Sequence, residues 1–349
     1  MNVAAACINA AVTIALGATG FGPASYVWGF VAASAAATIM AILFRPDLWI
    51  FRPSFFGVGR ILSFGALSSS VTLINTVYDL LPRLALGRLL GVDAVGIYAR
   101  AVTVCQLPDR AIVSALQPVV LPAMAAHSRA GGHLRTGYLR GLTLMSAIQW
   151  PALIMLALLA DPVVRILLGP QWGETVPLVR IIALATMTLA PAFLTFPVLV
   201  ASGRIQDSLL SSLIALPPSM LIMIGAATIG LWQVAASLLV IAPLQMLVAL
   251  LFVRRAIGLT WSDLLVAARS SAAMTIGTAV PPTLVLALSP NGFALGFGET
   301  ALAIVAGGLG WLVALYLLDH PLRSELSSVL RMVKATGSGR RLSDRAAGE

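Results

Sequence analysis

The chain has 349 residues, of which 59% are hydrophobic and only 10% are charged. A soluble domain carries roughly 25% charged residues, so a water-soluble fold of this length could not cover so much apolar surface. The net charge of +9 would suit a nucleic-acid-binding protein, but the basic residues lie between apolar runs rather than along one face. The composition therefore excludes a nucleic-acid partner and predicts an all-α, polytopic transmembrane helix bundle.

Ten apolar runs are long enough for a transmembrane helix, which needs about 20 mainly apolar residues. In chain order they cover residues 3–19, 24–44, 62–86, 95–122, 141–160, 177–201, 206–228, 233–253, 266–288 and 298–318. The connections between them are short and contain turn-forming Gly and Pro residues. No segment is long or polar enough to predict a soluble domain.

The basic residues predict the orientation of these spans. If the segment after the second span is cytoplasmic, sixteen Arg and Lys residues lie on that side and four on the other. Cytoplasmic loops of membrane proteins carry such an excess of positive charge. We therefore expect a multi-pass protein of the bacterial inner membrane with both termini in the cytoplasm.

The third span carries one polar stripe. Ser68, Thr72, Asn75, Asp79 and Arg83 recur every three or four residues, which places them on one face of a helix. Charged side chains inside a membrane normally face a cavity or a partner, because their insertion is unfavourable. The stripe predicts a polar cavity, and the alternative is that Asp79 and Arg83 form an internal ion pair that only fixes helix packing.

The fourth span adds Arg100, Gln106 and Arg110, which lie close to one helical face, and Asp109 beside them. An alternative for Arg100 is that its side chain reaches the outer membrane interface, where its charge is hydrated. Six residues of these two spans are predicted to bind the substrate: Asn75, Asp79, Arg83, Arg100, Gln106 and Arg110.

Motifs of known enzymes are absent from the sequence. It contains no nucleophile elbow, Walker loop or zinc-protease motif, and its two cysteines and three histidines show no metal-ligand spacing. We therefore expect a protein that is not an enzyme and that needs no cofactor or metal, which leaves transport or scaffolding.

Several ordered motifs resemble a known family. They are the run from Leu86 to Ala101, Gln106-Leu-Pro108, the run from Val119 to Ala123, Leu168-Gly-Pro-Gln-Trp172 and Ala201-Ser-Gly-Arg204. Each is weak alone, but together they follow the order and spacing of polysaccharide flippases in the multidrug/oligosaccharidyl-lipid/polysaccharide exporter superfamily. The chain is similar to these proteins over residues 60 to 260.

The resemblance implies a 14-helix transporter with two lobes and alternating access. Residues 1–44 would be two helices from the end of the first lobe, 45–60 a basic cytoplasmic linker, 61–318 the eight-helix second lobe and 319–349 a cytoplasmic tail. The first span would match the fifth of the family, so the first four helices would be lacking.

The substrate implied by the resemblance is an oligosaccharide linked to undecaprenyl diphosphate, translocated for exopolysaccharide or lipopolysaccharide synthesis. Its expected partners are this substrate, membrane lipids, a glycan polymerase and glycosyltransferases. Two alternatives stay open: an ion-coupled drug exporter, which would favour an acidic cavity, and a non-transporting membrane scaffold of a glycan assembly complex.

Overall fold

The computed structural model describes residues 2–22, 24–44, 58–129, 134–290, 292–318 and 320–323. Every regular element among these residues is a helix, which confirms the predicted all-α class. The predicted linker 45–60, apart from its last three residues, and the predicted tail beyond residue 323 lie outside the described residues.

The helices in the described part follow one another with short connections. Their bounds are α1 Asn2–Ala18, α2 Ala24–Phe44, α3 Val58–Leu89, α4 Val92–Arg129, α5 Leu134–Leu158, α6 Ala160–Leu167, α7 Thr175–Met187, α8 Thr195–Ala201, α9 Ile205–Ala227, α10 Leu231–Ile257, α11 Trp261–Leu288 and α12 Phe297–Leu317. Short 3₁₀ segments precede α7, at Pro170–Trp172, and α8, at Ala190–Leu194.

Each of the ten predicted spans corresponds to one helix or helix pair. Among the described helices, α5 and α9 to α12 are long and apolar enough to cross a membrane, and α7 with α8 forms a sixth candidate that is bent by 53°. Helices α1 and α2 are also apolar, but their apolar stretches, Ala4–Ala18 and Ala24–Met40, are shorter than those of the other candidates. Helices α3 and α4 are longer, at 32 and 38 residues, and carry the predicted polar and charged side chains.

Helix α6 was not predicted, because its sequence was assigned to a connection. Its eight residues are held by an ion pair between Arg165 Nε and Asp161 Oδ2, which are 3.0 Å apart and one turn from each other. Ala160, Pro162 and Val164 are buried, and the fully buried Val164 packs into the core.

The chain forms two compact units, residues 1–62 and 63–349. In the first unit, α1 and α2 pack closely where Gly29 meets Thr13 and Asn9, since a β-carbon at Gly29 would overlap both side chains. In the second unit, the largest cluster of buried apolar side chains includes Val104, Leu153 and Val179. It contains residues of α3, α4, α5, α6, α7, α9 and α10.

Helices α11 and α12 approach each other at two glycines. A β-carbon at Gly310 would overlap the carbonyl oxygen of Gly277, and one at Gly277 would lie 2.9 Å from Cβ of Ala314. Small residues allow such close packing of transmembrane helices, which is stabilised by van der Waals contact rather than by the hydrophobic effect.

Helix α5 is hydrogen-bonded to the middle of α11. The Thr143 hydroxyl donates to the Ala267 carbonyl over 3.3 Å, and the Ser271 hydroxyl donates to the Thr143 carbonyl over 3.0 Å. All three residues are at least partly buried. These bonds attach the α11–α12 pair to the rest of the second unit.

Basic residues predicted on the same side of the membrane lie at the same end of the second unit. Arg135, at the start of α5, forms an ion pair of 2.6 Å with Asp263 at the start of α11. Arg204, before α9, donates to the carbonyl of Arg255 at the end of α10. This grouping agrees with the predicted alternation of the spans, while the assignment of that end to the cytoplasm stays a prediction.

Candidate functional site

The apolar run between residues 175 and 201 is interrupted in its middle. Pro191 has no N–H and cannot donate an α-helical hydrogen bond, and the backbone forms tight turns here, with Leu189 N–H bonded to Thr186 and Ala192 N–H bonded to Leu189. The result is the 3₁₀ segment Ala190–Leu194 and the 53° bend between α7 and α8.

Helix α5 donates hydrogen bonds to backbone carbonyl groups that lose their regular helical partners at the break. The Trp150 indole N–H donates to the Met187 carbonyl over 2.8 Å, and the Tyr138 hydroxyl donates to the Pro191 carbonyl over 2.9 Å. Tyr138 is fully buried, so its hydroxyl needs a protein partner. Two side chains of α5 therefore hold the broken segment in place.

Irregular backbone at membrane depth occurs only where protein buries it or where it lines a polar cavity. Residues of the break line two adjoining cavities: Thr186, Leu189 and Phe193 line the first, and Leu189, Ala192 and Thr195 line the second. The break thus marks the polar interior of the second unit.

The first cavity, which we call the arginine cavity, has a volume of 390 Å³ and lies among α3, α4, α7, α9, α10 and the break. Its polar and charged lining residues are Tyr78, Asp79, Arg83, Tyr98, Gln106, Asp109, Thr186 and Gln245. An ion pair between Asp79 and Arg83 is not found among the described ion pairs, and both side chains line the cavity.

Two hydrogen bonds order the α4 side of this cavity. Gln149, a fully buried residue of α5, donates from Nε2 to Asp109 Oδ1 over 2.7 Å. Arg110 donates from Nη2 to Gln106 Oε1 over 3.0 Å, within one turn of α4. Asp109 is therefore held by a neutral amide, and the Arg110 guanidinium lies beside a lining residue.

The second cavity, which we call the hydroxyl pocket, has a volume of 380 Å³ and lies among α3, the break, α8, α9 and α10. None of the described residues that line it is charged, and the polar ones are Thr72, Asn75, Thr195, Ser208, Ser211, Ser212 and Gln245. Leu189 and Gln245 line both cavities, so the two adjoin at these side chains.

A third cavity, of 460 Å³, lies among α4, α5, α11 and α12. Its lining is apolar apart from the Thr278 hydroxyl and the Trp311 indole. The Trp311 N–H already donates to the Ala147 carbonyl and the Thr278 hydroxyl to the Met274 carbonyl. Within the described part of the chain, no residue that lines this cavity is charged.

The structure brings most of the sequence-predicted site residues together. Asp79, Arg83 and Gln106 line the arginine cavity, and Asn75 lines the hydroxyl pocket one turn away on α3. Arg110 joins them through its bond to Gln106.

Arg100 lies apart from these residues. Its guanidinium carbon is 5.5 Å from the centre of the Trp172 ring, a cation–π distance, and Arg100 lines neither cavity. Its role in substrate binding stays a prediction.

Sequence reasoning missed the wall that faces α3 and α4. Gln245 donates to Ser219 Oγ over 3.2 Å and lines both cavities. Thr195 and Ser208 also belong to this wall, and neither is among the predicted substrate-binding residues. The signal that could have found this wall is the pair Pro191 and Pro197 inside one apolar span, since proline-interrupted spans point to binding sites in transporters.

The chain is similar to proteins of polysaccharide synthesis. The profile of a family described as "Polysaccharide biosynthesis protein" matches residues 1–177. TuaB of Bacillus subtilis, named a teichuronic acid biosynthesis protein, is 26% identical over 42% of this chain and 31% of its own length. WzxC of Escherichia coli, named a lipopolysaccharide biosynthesis protein, is 25% identical over 52% of this chain and 37% of its own.

A third relative is ExoT of Rhizobium meliloti, named a succinoglycan biosynthesis transport protein. It is 23% identical over 56% of this chain and 40% of its own length. The chain thus spans between 31% and 40% of the length of these three relatives. No solved structure matched the chain.

Proposed function

The chain belongs to the polysaccharide biosynthesis protein family, and on that premise we propose that it translocates a lipid-linked oligosaccharide across the bacterial inner membrane. The substrate class is an oligosaccharide on undecaprenyl diphosphate, used for exopolysaccharide or lipopolysaccharide synthesis. Membrane lipids surround the helices, and a glycan polymerase and glycosyltransferases are the proposed partners.

The observation that carries this proposal is the position of Arg83 in the arginine cavity. A diphosphate is an anion that cannot enter hydrocarbon without a large loss of hydration. The Arg83 guanidinium offers charge-assisted, bidentate hydrogen bonds to phosphate oxygens, and Arg110 donates to Gln106, which lines the same cavity. The prenyl chain can stay in lipid while the head group crosses.

Loss of the gene tests the proposal. Cells without it should lose surface polysaccharide and accumulate lipid-linked oligosaccharide, because synthesis continues on the cytoplasmic leaflet while translocation stops. Periodate added outside spheroplasts should leave that accumulated glycan intact, and a plasmid copy of the gene should restore its oxidation. Periodate-accessible glycan in the deletion strain would contradict a flippase and favour a scaffold.

A second candidate function is supported by the two carboxylates of the same cavity. Asp79 and Asp109 both line it, and an acidic cavity suits an ion-coupled exporter of cationic amphipathic drugs. This candidate requires that the deletion strain becomes sensitive to such drugs while its surface polysaccharide is unchanged. The family membership makes the glycan substrate the first choice.

We also propose that both termini lie in the cytoplasm, from the excess of basic residues at one end of the spans. An alkaline phosphatase fusion after Arg345 should be inactive, and one at Gln171 should be active, since this enzyme folds only in the periplasm. Fusions of green fluorescent protein at the same sites should give the reverse pattern. An active phosphatase after Arg345 would overturn the orientation.

A further inference from the structure

We propose that the hydroxyl pocket binds the first sugar residues of the substrate, next to the diphosphate in the arginine cavity. The inference rests on the proposed function and adds which part of the protein binds the sugar. It starts from the positions of the two cavities, which adjoin at Leu189 and Gln245.

Covalent connectivity makes this adjacency meaningful. The first sugar is bonded directly to the diphosphate, so its binding site must adjoin the site that holds the diphosphate. On α3, Asp79 and Arg83 line the arginine cavity, and Thr72 and Asn75 line the hydroxyl pocket about one to three turns earlier. At a rise of about 1.5 Å per residue, Asn75 and Arg83 are about 12 Å apart along the helix axis.

The pocket lining matches the chemistry of a sugar. Sugar hydroxyl groups both donate and accept hydrogen bonds, and so do the hydroxyl and amide side chains that line the pocket. A charged head group would leave its charge uncompensated here, because no residue known to line the pocket in the described part of the chain is charged. The Phe196 ring and Leu216 supply an apolar surface for the C–H face of a sugar ring.

One lining residue has unused hydrogen-bonding capacity. Thr195 is 7% exposed, and its hydroxyl has no hydrogen-bond partner within the part of the chain that the structure describes. Threonines inside a helix usually bond the carbonyl four residues earlier, as Thr186 does to Ile182. Thr195 is the first residue of α8 and follows the break, so it lacks that regular partner.

Helix α9 supplies the opposite wall. Ser208 and Ser211 are buried and Ser212 is half-buried, and all three line the pocket. Ser211 donates to the Ser208 carbonyl, which leaves the lone pairs of its oxygen to accept a bond from a sugar hydroxyl. Substituting all three by alanine removes these groups with little change in volume.

The test compares binding of lipids with and without a sugar. The full chain is reconstituted in nanodiscs and titrated with undecaprenyl diphosphate, and separately with the same lipid carrying glucose, galactose or N-acetylglucosamine. We expect at least one sugar to tighten binding by about tenfold, the factor that one or two net hydrogen bonds provide. The variant S208A/S211A/S212A should bind undecaprenyl diphosphate normally and lose that tenfold gain.

Ser237→Ala is the matched control, because Ser237 also donates to the carbonyl three residues earlier but lines neither cavity. It should keep the gain. A sugar-dependent gain that survives in the triple variant would overturn the pocket assignment, as would wild-type protein that binds undecaprenyl diphosphate with no gain from any sugar. Absence of all lipid binding by the wild type would instead contradict the proposed function itself.

Discussion

Replacing Arg83 by alanine is expected to abolish glycan export while the protein stays abundant in the membrane. The guanidinium lines the arginine cavity with no ion pair to Asp79 among the described residues, so its removal leaves no bonded partner behind. A charge-assisted hydrogen bond contributes about 1.5–3 kcal/mol, and a bidentate pair contributes more. The expected loss of transport is therefore at least about a hundredfold, measured as surface polysaccharide at matched protein abundance.

Two further variants separate the role of charge from that of geometry. Arg83→Lys keeps the charge but not the planar fork of donors, so it should restore export only partly. Arg88→Ala removes another exposed arginine of the same helix, outside the cavity, and should leave export unchanged.

The packing alternative for Arg83 makes the opposite prediction. If Arg83 only balances Asp79, each single substitution should lower protein abundance, and the double variant D79N/R83Q should recover both abundance and export. Normal export by an abundant double variant would therefore rule out substrate binding by Arg83.

Gly310→Ala is expected to lower the stability of the second unit. The new methyl group would overlap the carbonyl oxygen of Gly277, a backbone atom that cannot rotate away, so α11 and α12 must move apart. Overpacking of this kind costs about 1–3 kcal/mol, and the separation also loses the van der Waals contacts that hold the two helices together. The thermal unfolding midpoint in detergent should fall.

Gly308→Ala is the matched control on the same helix. Gly308 is exposed, and a β-carbon there would meet nothing within 4 Å. Since alanine favours helix more than glycine does, this variant should be as stable as the wild type or slightly more stable. Equal losses in both variants would contradict close packing at Gly310 as the cause, because helix propensity favours alanine at both positions.

Apolarity and polar periodicity were enough to predict most of the fold. A bilayer requires long apolar helices, so the ten helices or helix pairs that match the predicted spans could be located from composition. The stripe Asn75, Asp79 and Arg83 could be predicted because period and polarity coincide on one helix. These residues do line adjoining cavities.

The remaining part of the site depends on contacts between distant segments. Gln149 reaches Asp109 across 40 positions of sequence, and no local pattern distinguishes it from any other buried glutamine. The same holds for Tyr138, whose partner is the carbonyl of Pro191, 53 positions away. Arg100 was predicted on the same helical face as Gln106 and Arg110, but its guanidinium lies over the Trp172 ring and lines neither polar cavity, so its role in substrate binding stays a prediction.

The hydrogen bonds of α5 have a mechanical consequence. This helix is hydrogen-bonded to α11 through Thr143 and Ser271. It is also hydrogen-bonded to the broken segment through Tyr138 and Trp150. That segment forms a wall of both polar cavities. A displacement of the α11–α12 pair would therefore be transmitted through α5 to the cavity wall, although no described residue of α5 lines either polar cavity.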